Sequence, residues 1–155
     1  MKFGISNISI IPIRFDPSDK AEMINQILFG EHFKILETRK KWSKIRLSHD
    51  NYEGWICNKQ FVNIPEEDYF QLNKDTPTIT TDILDIVTKT EHQPIVIGSI
   101  LPKYKSGHAI INNEMYKFDG LTTTGFINKE KISENALLYL NAPYLWGGRS
   151  PLGID

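Results

Sequence analysis

Few side chains in this sequence combine a reactive type with a spacing that predicts chemistry. The single cysteine, Cys57, follows Trp55 and Ile56 in an apolar, strand-like run, which predicts a small buried side chain and not a nucleophile. The histidines are isolated, and their spacing does not match that of metal ligands (His32, His49, His92 and His108). The Trp-Gly-Gly-Arg run at 146–149 lacks the Lys-Ser/Thr ending of a phosphate-binding loop. We therefore expect no cofactor and no metal ion.

The most informative stretch is the C-terminal tail, residues 141–155 (NAPYLWGGRSPLGID). A leucine-rich, helix-forming run ends at Pro143, and the patterns Tyr-x-Trp-Gly-Gly and Ser-Pro-x-Gly-x-Asp follow. Gly147-Gly148 predicts a tight turn that needs positive φ or close backbone approach, and Trp146 is predicted to be structural. Asp155 is the last residue, so we expect it to be disordered.

Composition excludes several classes of protein. The 155 residues, 40% of them apolar, suffice for one ordinary core or two small ones. A net charge of −1 predicts no affinity for nucleic acid or an anionic membrane. No run approaches the length of a membrane span, and the N-terminus lacks the apolar run of a secretory leader. We predict a cytoplasmic protein, or a periplasmic or cell-surface one if a leader has been removed.

Short apolar runs with a period of two, separated by turn-forming residues, predict a first small β unit over residues 1–66. Ile45 and Leu47 alternate with basic residues, as expected for a half-buried strand. The segment 20–29 is compatible with a helix, or with a loop followed by a strand. The sequence alone leaves these two alternatives open.

A second β unit is predicted over residues 67–132, because the acidic, proline-started segment 65–68 is typical of a boundary. Within this unit, residues 109–118 predict a hairpin with an Asn-rich turn. Gly125-Phe126-Ile127 echoes Gly54-Trp55-Ile56, which suggests that the two units repeat each other.

The third predicted region, residues 133–155, begins with a helix. Ser133 is a candidate N-cap, closely spaced leucines follow it, and Pro143 ends the helical pattern. So short a helix cannot form a core alone, and it must pack on the β units or on something outside this chain. If unsupported, its apolar residues would favour weak self-association (Leu137, Leu138, Leu140, Leu145 and Trp146).

The tail and the first unit together resemble a known family. Residues 141–155 resemble the stretch that leads into the nucleophilic cysteine of the NlpC-type cell-wall endopeptidases, which are papain-like cysteine peptidases. The first unit resembles the bacterial SH3 domain that precedes the catalytic domain in some of them, notably at Leu28-Phe29-Gly30-Glu31 and Tyr52-x-Gly54-Trp55-Ile56. The resemblance implies a mainly β chain: two small bacterial SH3-like barrels, then a short helix that begins a papain-like α+β domain.

The resemblance also implies roles for four residues. Peptidases of this kind cleave murein stem peptides by attack of a cysteine thiolate, with a histidine as general base. Tyr144 matches the tyrosine that supports the oxyanion. Three other residues match positions that face the free amine of an N-terminal L-alanine (Glu31, Tyr52 and Asp155). Glu31 as a solvated carboxylate and Tyr52 as a rim aromatic remain the alternatives.

Two functions are compatible with these observations. In the first, the chain is the peptide-recognition region of a γ-D-glutamyl-L-diamino acid endopeptidase of cell-wall turnover or recycling. The pattern's nucleophilic cysteine would follow Asp155, so we predict that the 155-residue chain is inactive although its parent is a cysteine hydrolase. The alternative is a stand-alone, non-enzymatic module that binds cell-wall peptides.

Overall fold

The structure, a computed structural model, describes residues 1–125 and 129–155. Strands dominate it, which confirms the prediction of a mainly β chain. The first seven strands are β1 (Lys2–Ile5), β2 (Ile10–Arg14), β3 (Met23–Leu28), β4 (His32–Thr38), β5 (Trp42–Leu47), β6 (Glu53–Cys57) and β7 (Val62–Ile64). Among the described residues, no helix is long and apolar enough to cross a membrane.

The seven strands form one antiparallel sheet in the order β3-β2-β6-β5-β4-β1-β7. The predicted alternation in β5 is confirmed, because Ile45 and Leu47 are buried while Arg46 between them is exposed. The ambiguous segment 20–29 resolves as a loop followed by β3. Its last residues are buried on β2, and this non-local packing outweighs local helix propensity.

The hydrogen bonds of the described strands leave the sheet open, with β3 and β7 as its two edges. The first unit is therefore an SH3-like sheet and not a barrel closed by backbone hydrogen bonds. An edge strand presents unpaired backbone groups to whatever packs beside it. The C-terminal tail lies against the edge at β3.

The predicted boundary at 65–68 is the start of a helix, α1 (Glu66–Lys74). Its first turn carries three carboxylates, which favour a helix N-terminus. The remaining strands of the second unit are β8 (Thr78–Thr80), β9 (Leu84–Thr88), β10 (His92–Val96), β11 (His108–Ile111), β12 (Glu114–Phe118) and β13 (Thr122–Thr124). Tyr69 of α1, Phe3 of β1 and Phe118 of β12 share one buried cluster, so the two units pack through a common core.

In the second unit, β10-β9-β12-β11 form a four-stranded antiparallel sheet, and β8 pairs with β13. The predicted hairpin is confirmed: β11 pairs with β12 across Asn112 and Asn113, whose φ values of 48° and 63° suit asparagine. This sheet too is open at both ends among the described strands. The proposed echo at Gly125-Phe126-Ile127 falls mostly on residues 126–128, outside the described residues.

The predicted tail helix exists, but its bounds differ from the expectation. α2 spans Lys129–Leu137, so Ser133 lies inside it and is not its N-cap. Lys131 and Glu134 form an ion pair at 2.7 Å, which supports the first turns. Hydrogen-bonded turns continue to residue 142, and Asn141, with φ 67°, reverses the chain before Pro143.

Candidate functional site

The tail folds into a compact loop after Pro143. Two short strands, β14 (Arg149–Ser150) and β15 (Gly153–Ile154), pair with each other. The Ile154 N–H donates to the carbonyl of Pro143 at 3.0 Å, and the Leu145 N–H donates to the carbonyl of Ile154 at 3.0 Å. These bonds tie the end of the chain to the start of the tail. The loop is thus an ordered element that can present side chains.

This loop lies along the exposed edge of β3, and we call the contact line between β3 and residues 144–155 the seam. Gly147 has φ +68°, and a Cβ there would lie 2.8 Å from the backbone carbon of Ile24 and 3.0 Å from the nitrogen of Asn25. Only glycine permits that approach. The prediction of a glycine turn with positive φ or close backbone approach is confirmed at Gly147, which has both. Trp146, predicted to be structural, is 55% exposed.

Arg149 joins the tail to the first sheet through four hydrogen bonds. Its backbone N–H donates to Oε1 of Gln26 at 2.8 Å, and Nη1 donates to the Gln26 carbonyl oxygen at 2.7 Å. The guanidinium also binds the Glu31 carboxylate in bidentate fashion: Nη2 to Oε1 at 2.8 Å and Nη1 to Oε2 at 3.0 Å. Paired, charge-assisted bonds of this kind are among the strongest polar contacts in proteins.

Glu31, one of the predicted amine-facing residues, is buried, with 5% of its surface exposed. Besides Arg149, its Oε2 accepts the backbone N–H of Leu28 at 2.8 Å. Among the described residues, His49, in the β5–β6 loop, is the next nearest basic group, and its Nδ1 lies 3.8 Å from Oε1 of Glu31. The alternative of a solvated carboxylate does not describe this geometry. Both Glu31 oxygens are engaged by groups of the protein itself.

Tyr52, the second predicted amine-facing residue, is 39% exposed and lies above β3. Its hydroxyl donates to the carbonyl oxygen of Ile24 at 3.2 Å. An Asx turn positions it, because the Tyr52 N–H donates to Oδ1 of Asp50 at 2.8 Å and Asn51 adopts φ 61°. Tyr52 therefore contacts Ile24 of β3, the residue that Gly147 of the tail also approaches.

Asp155, the third predicted amine-facing residue, is anchored, and the expectation of a disordered terminal residue is wrong. Its Oδ2 accepts the N–H of Gly147 at 3.0 Å, and its own N–H donates to the carbonyl of Gly148 at 3.2 Å. The physical reason is that the glycine turn offers an unpaired amide to the carboxylate. Tyr52 and Gly147 both contact Ile24, and Gly147 holds the Asp155 carboxylate, so a chain of contacts links the phenol to the carboxylate across the seam.

Tyr144, the predicted oxyanion support, is 70% exposed on the outer side of the tail and forms a parallel β-bridge with Ile154. Partial desolvation and the nearby Asp155 carboxylate raise the pKa of the Tyr144 phenol above its ordinary value. Cys57 ends β6 opposite Trp42 and is half-buried, less deeply than predicted.

Sequence reasoning missed Arg149 and its acceptor Gln26. A signal was available, because Arg149 and Asp155 are the only charged residues between 143 and 155. A lone arginine between a glycine turn and a Ser-Pro pair, in a tail that must dock somewhere, indicates a carboxylate partner. Which of the carboxylates it meets could not be read from the sequence.

A separate cavity of about 480 Å³ lies beyond His49, between the β5–β6 loop, the end of α1 and residues 100–104. His32 lines it and packs edge-on against Tyr69. Burial lowers the pKa of His32 below its ordinary value, because the charged imidazolium would lose its hydration. Its Nε2 is buried and has no hydrogen-bond partner among the described residues. Among those residues, no group of three or more His, Cys, Asp or Glu side chains is placed to hold a metal ion.

Comparison with known proteins bears out the resemblance seen in the sequence. Residues 13–61 match the bacterial dipeptidyl-peptidase Sh3 domain family. Dipeptidyl-peptidase 6 of Lysinibacillus sphaericus is 26% identical over 166 aligned positions, which include 90% of this chain and 60% of the relative. The chain therefore spans about 60% of the length of this curated relative.

Two solved structures share the fold. An NlpC/P60 family protein from Bacillus cereus aligns over 99% of this chain and 68% of its own, with a TM-score of 0.78 and 13% identity. An NlpC/P60 endopeptidase from Photobacterium damselae subsp. piscicida aligns over 99% of this chain and 40% of its own, with a TM-score of 0.62 and 17% identity. Residues 13–61 thus match a bacterial SH3 domain family, and the chain shares its fold with two NlpC/P60 proteins.

Proposed function

We propose that this chain is the peptide-recognition region of a γ-D-glutamyl-L-diamino acid endopeptidase, and that the seam binds the free amino terminus of a murein stem peptide. The SH3-domain match and the similarity to a dipeptidyl-peptidase support the coarser part, a module related to peptidoglycan peptidases. The observation that carries the finer part is the convergence of Tyr52 and Asp155 on Ile24 and Gly147.

The hydrogen-bond directions at the seam suit a cation. The Tyr52 hydrogen points to the Ile24 carbonyl, which leaves lone pairs of the phenol oxygen available. Asp155 accepts the Gly147 N–H on Oδ2, and its carboxylate also lies beside the Tyr144 phenol, so it carries negative charge within the seam. An ammonium group has three donors and no acceptor, so it matches a carboxylate and a phenol oxygen held close together. An N-acylated peptide would lose the charge and two of the donors.

Calorimetry on the purified chain tests this proposal. We expect the tripeptide L-Ala-γ-D-Glu-L-Lys to bind, and the same peptide with an acetylated amino terminus to bind at least tenfold more weakly, on the order of 1.4 kcal/mol. Equal affinity for the two peptides would contradict amine recognition. Absence of measurable binding to either would contradict the proposal that this chain holds the recognition site.

The catalytic part of the proposal concerns the parent protein. Tyr144 is proposed to donate toward the oxyanion during attack by the cysteine thiolate of that protein. The isolated chain is expected to leave stem peptides uncut. Cleavage by this chain that disappears in Cys57→Ser would overturn this expectation.

A stand-alone binding module is the second candidate, and one observation favours it: the tail is fixed to the first sheet by contacts within this chain. Full affinity of the isolated chain for the tripeptide would support it. Affinity that rises only when the chain is extended beyond residue 155 would favour the endopeptidase region. A cytoplasmic location, or a surface location after removal of a leader, is retained as part of either proposal.

A further inference from the structure

We propose that Arg149 is a positioning residue that locks the tail onto β3, with Glu31 as its buried anchor. This inference rests on the proposed function for its consequence in binding. Its structural part, the clamp formed by Arg149, Glu31 and Gln26, stands apart from any ligand. Among the described residues, the Arg149–Glu31 pair is the salt bridge that joins the tail to the first unit.

The anchor is oriented by its own turn as well as by the tail. The Leu28 N–H binds Oε2 of Glu31 within the turn between β3 and β4, where Gly30 has φ +78°. The carboxylate is therefore oriented by its own turn and buried under β3. A buried carboxylate needs a well-placed cationic partner to offset its lost hydration. The Arg149 guanidinium, 29% exposed, is closer to it than the imidazole of His49.

The clamp makes more than one kind of contact, and this favours a positioning role. Arg149 binds the carboxylate of Glu31 as well as both the backbone carbonyl and the side-chain amide oxygen of Gln26. A planar guanidinium serves three acceptors in fixed directions, whereas a lysine ammonium would act as a point charge. The tail is consequently fixed in orientation as well as in distance.

Locking Arg149 also fixes Asp155. Arg149 pairs with Ile154 across the β14–β15 ladder, so Asp155 is one residue from a clamped position. Gly147, whose N–H holds the Asp155 carboxylate, lies two residues before Arg149 on the other side. Gly147 and Arg149, through which the Asp155 carboxylate is positioned, both contact β3. Without the Arg149 contacts, Asp155 would move away from Tyr52, whose β5–β6 loop is fixed to β3 through Ile24.

A competing possibility rests on the same contacts but predicts the opposite change in ligand affinity when Arg149 is removed. In it, the Arg149 guanidinium occupies the place where a ligand ammonium would meet Glu31, and the ligand must displace it. Removing Arg149 would then free Glu31 and strengthen binding. In the positioning role, removing Arg149 releases the tail and weakens binding. The sign of one affinity change therefore separates the two.

The test compares Arg149→Gln, Arg149→Lys and the control Arg46→Gln, which breaks an exposed pair with Glu53. The first readout is amide hydrogen exchange of residues 143–155, with exchange of the seven-stranded sheet showing that the protein remains folded. The second is calorimetry with L-Ala-γ-D-Glu-L-Lys. For Arg149→Gln we expect tail exchange to accelerate at least tenfold and affinity to fall at least tenfold. Arg149→Lys should restore part of each, and Arg46→Gln should change neither.

Two results would overturn the inference. Unchanged tail exchange in Arg149→Gln would show that the clamp does not hold the tail. Unchanged binding with accelerated exchange would show that the position of the tail does not control affinity, and tighter binding would show that Glu31 takes the amine itself. If the unmodified chain binds no tripeptide, the proposed function fails, while the exchange readout still decides whether Arg149 locks the tail.

Discussion

The Tyr52 hydroxyl donates to the carbonyl oxygen of Ile24 at 3.2 Å, so a side chain from the β5–β6 loop is fixed to the edge strand that the tail approaches. Tyr52→Phe keeps the ring and removes the oxygen. We expect affinity for the free-amine tripeptide to fall about tenfold, about 1.4 kcal/mol, because one acceptor of the ammonium is lost. The free energy of unfolding should change by less than about 1 kcal/mol, since the side chain is partly exposed.

The matched control for that variant is Tyr104→Phe. Tyr104 also donates its hydroxyl to a backbone carbonyl, that of Phe118 at 3.4 Å, but it lies away from the seam. Calorimetry should give unmodified affinity for the control. Equal losses in the two variants would indicate a general effect of removing a phenol oxygen and would argue against a role for Tyr52 in recognition.

The parts of the fold predictable from the sequence are those written in local patterns. Alternation marked β5, and the Asn112-Asn113 pair marked the β11–β12 turn, because both depend on neighbours a few residues apart. The bounds of α2 were missed because Ser133 imitates an N-cap although the helix begins earlier. The open form of the first sheet depends on which strands pair across the whole first unit, and local sequence patterns do not predict such pairing.

The sequence predicted several residues of the candidate site but not the hydrogen bonds and ion pairs that they form. Tyr52 and Asp155 were proposed from the resemblance, and in the structure each contacts a different residue of the seam, Ile24 and Gly147. The pairing of Glu31 with Arg149 joins residues 118 positions apart in sequence. Either charge has several opposite partners available in the sequence, so only the folded geometry identifies the pair. The hydrogen bond from the Gly147 amide to Asp155 is likewise visible only in the folded geometry.

Glu31→Gln should destabilise the protein. The change leaves the Arg149 guanidinium half-buried without its carboxylate and weakens the bond to the Leu28 N–H. Loss of one partner from a fully buried pair costs about 3–5 kcal/mol, and the partial exposure of Arg149 reduces the expected loss to about 2 kcal/mol. Urea unfolding at neutral pH measures it.

The double variant Glu31→Gln/Arg149→Gln supplies the control for this prediction. Removing both charges leaves no unpaired ion, so the double variant should lose less stability than the sum of the two single variants. Strict additivity would mean that the two side chains do not interact in solution. A Glu31→Gln variant as stable as the unmodified protein would contradict the ion pair outright.

Gly147→Ala should detach the tail without unfolding the sheet. The new Cβ would meet backbone atoms of Ile24 and Asn25 at 2.8 and 3.0 Å, and backbone in a sheet cannot give way as a side-chain end can. Hydrogen exchange should accelerate across residues 143–155 and stay slow in β2 and β5. Gly107→Ala is the matched control, because Gly107 has φ +77° but its Cβ would meet nothing closer than 3.5 Å. Equal effects of both substitutions would assign the result to φ strain alone.

The exposed apolar side chains of α2 and the tail should cause weak self-association. Ile132, Leu137 and Leu140 are exposed, and Trp146 and Leu152 add apolar surface on the tail. Sedimentation velocity over a range of protein concentrations should show a sedimentation coefficient that rises with concentration. Leu137→Gln/Leu140→Gln should abolish the rise. A coefficient independent of concentration in the unmodified chain would contradict this prediction.

The stability of the protein should depend on pH through His32. Burial lowers the pKa of this imidazole below its ordinary value of 6.5, so the unfolded chain binds more protons than the folded one between the two pKa values. The contribution of His32 to stability is therefore fully present above pH 6.5 and is lost as the pH falls through the folded pKa. Urea unfolding between pH 7.5 and pH 5 should show a smaller decrease in His32→Gln than in the unmodified protein. The exposed His92→Gln should keep the unmodified decrease, and a decrease in His32→Gln equal to that of the unmodified protein would show that another group carries the effect.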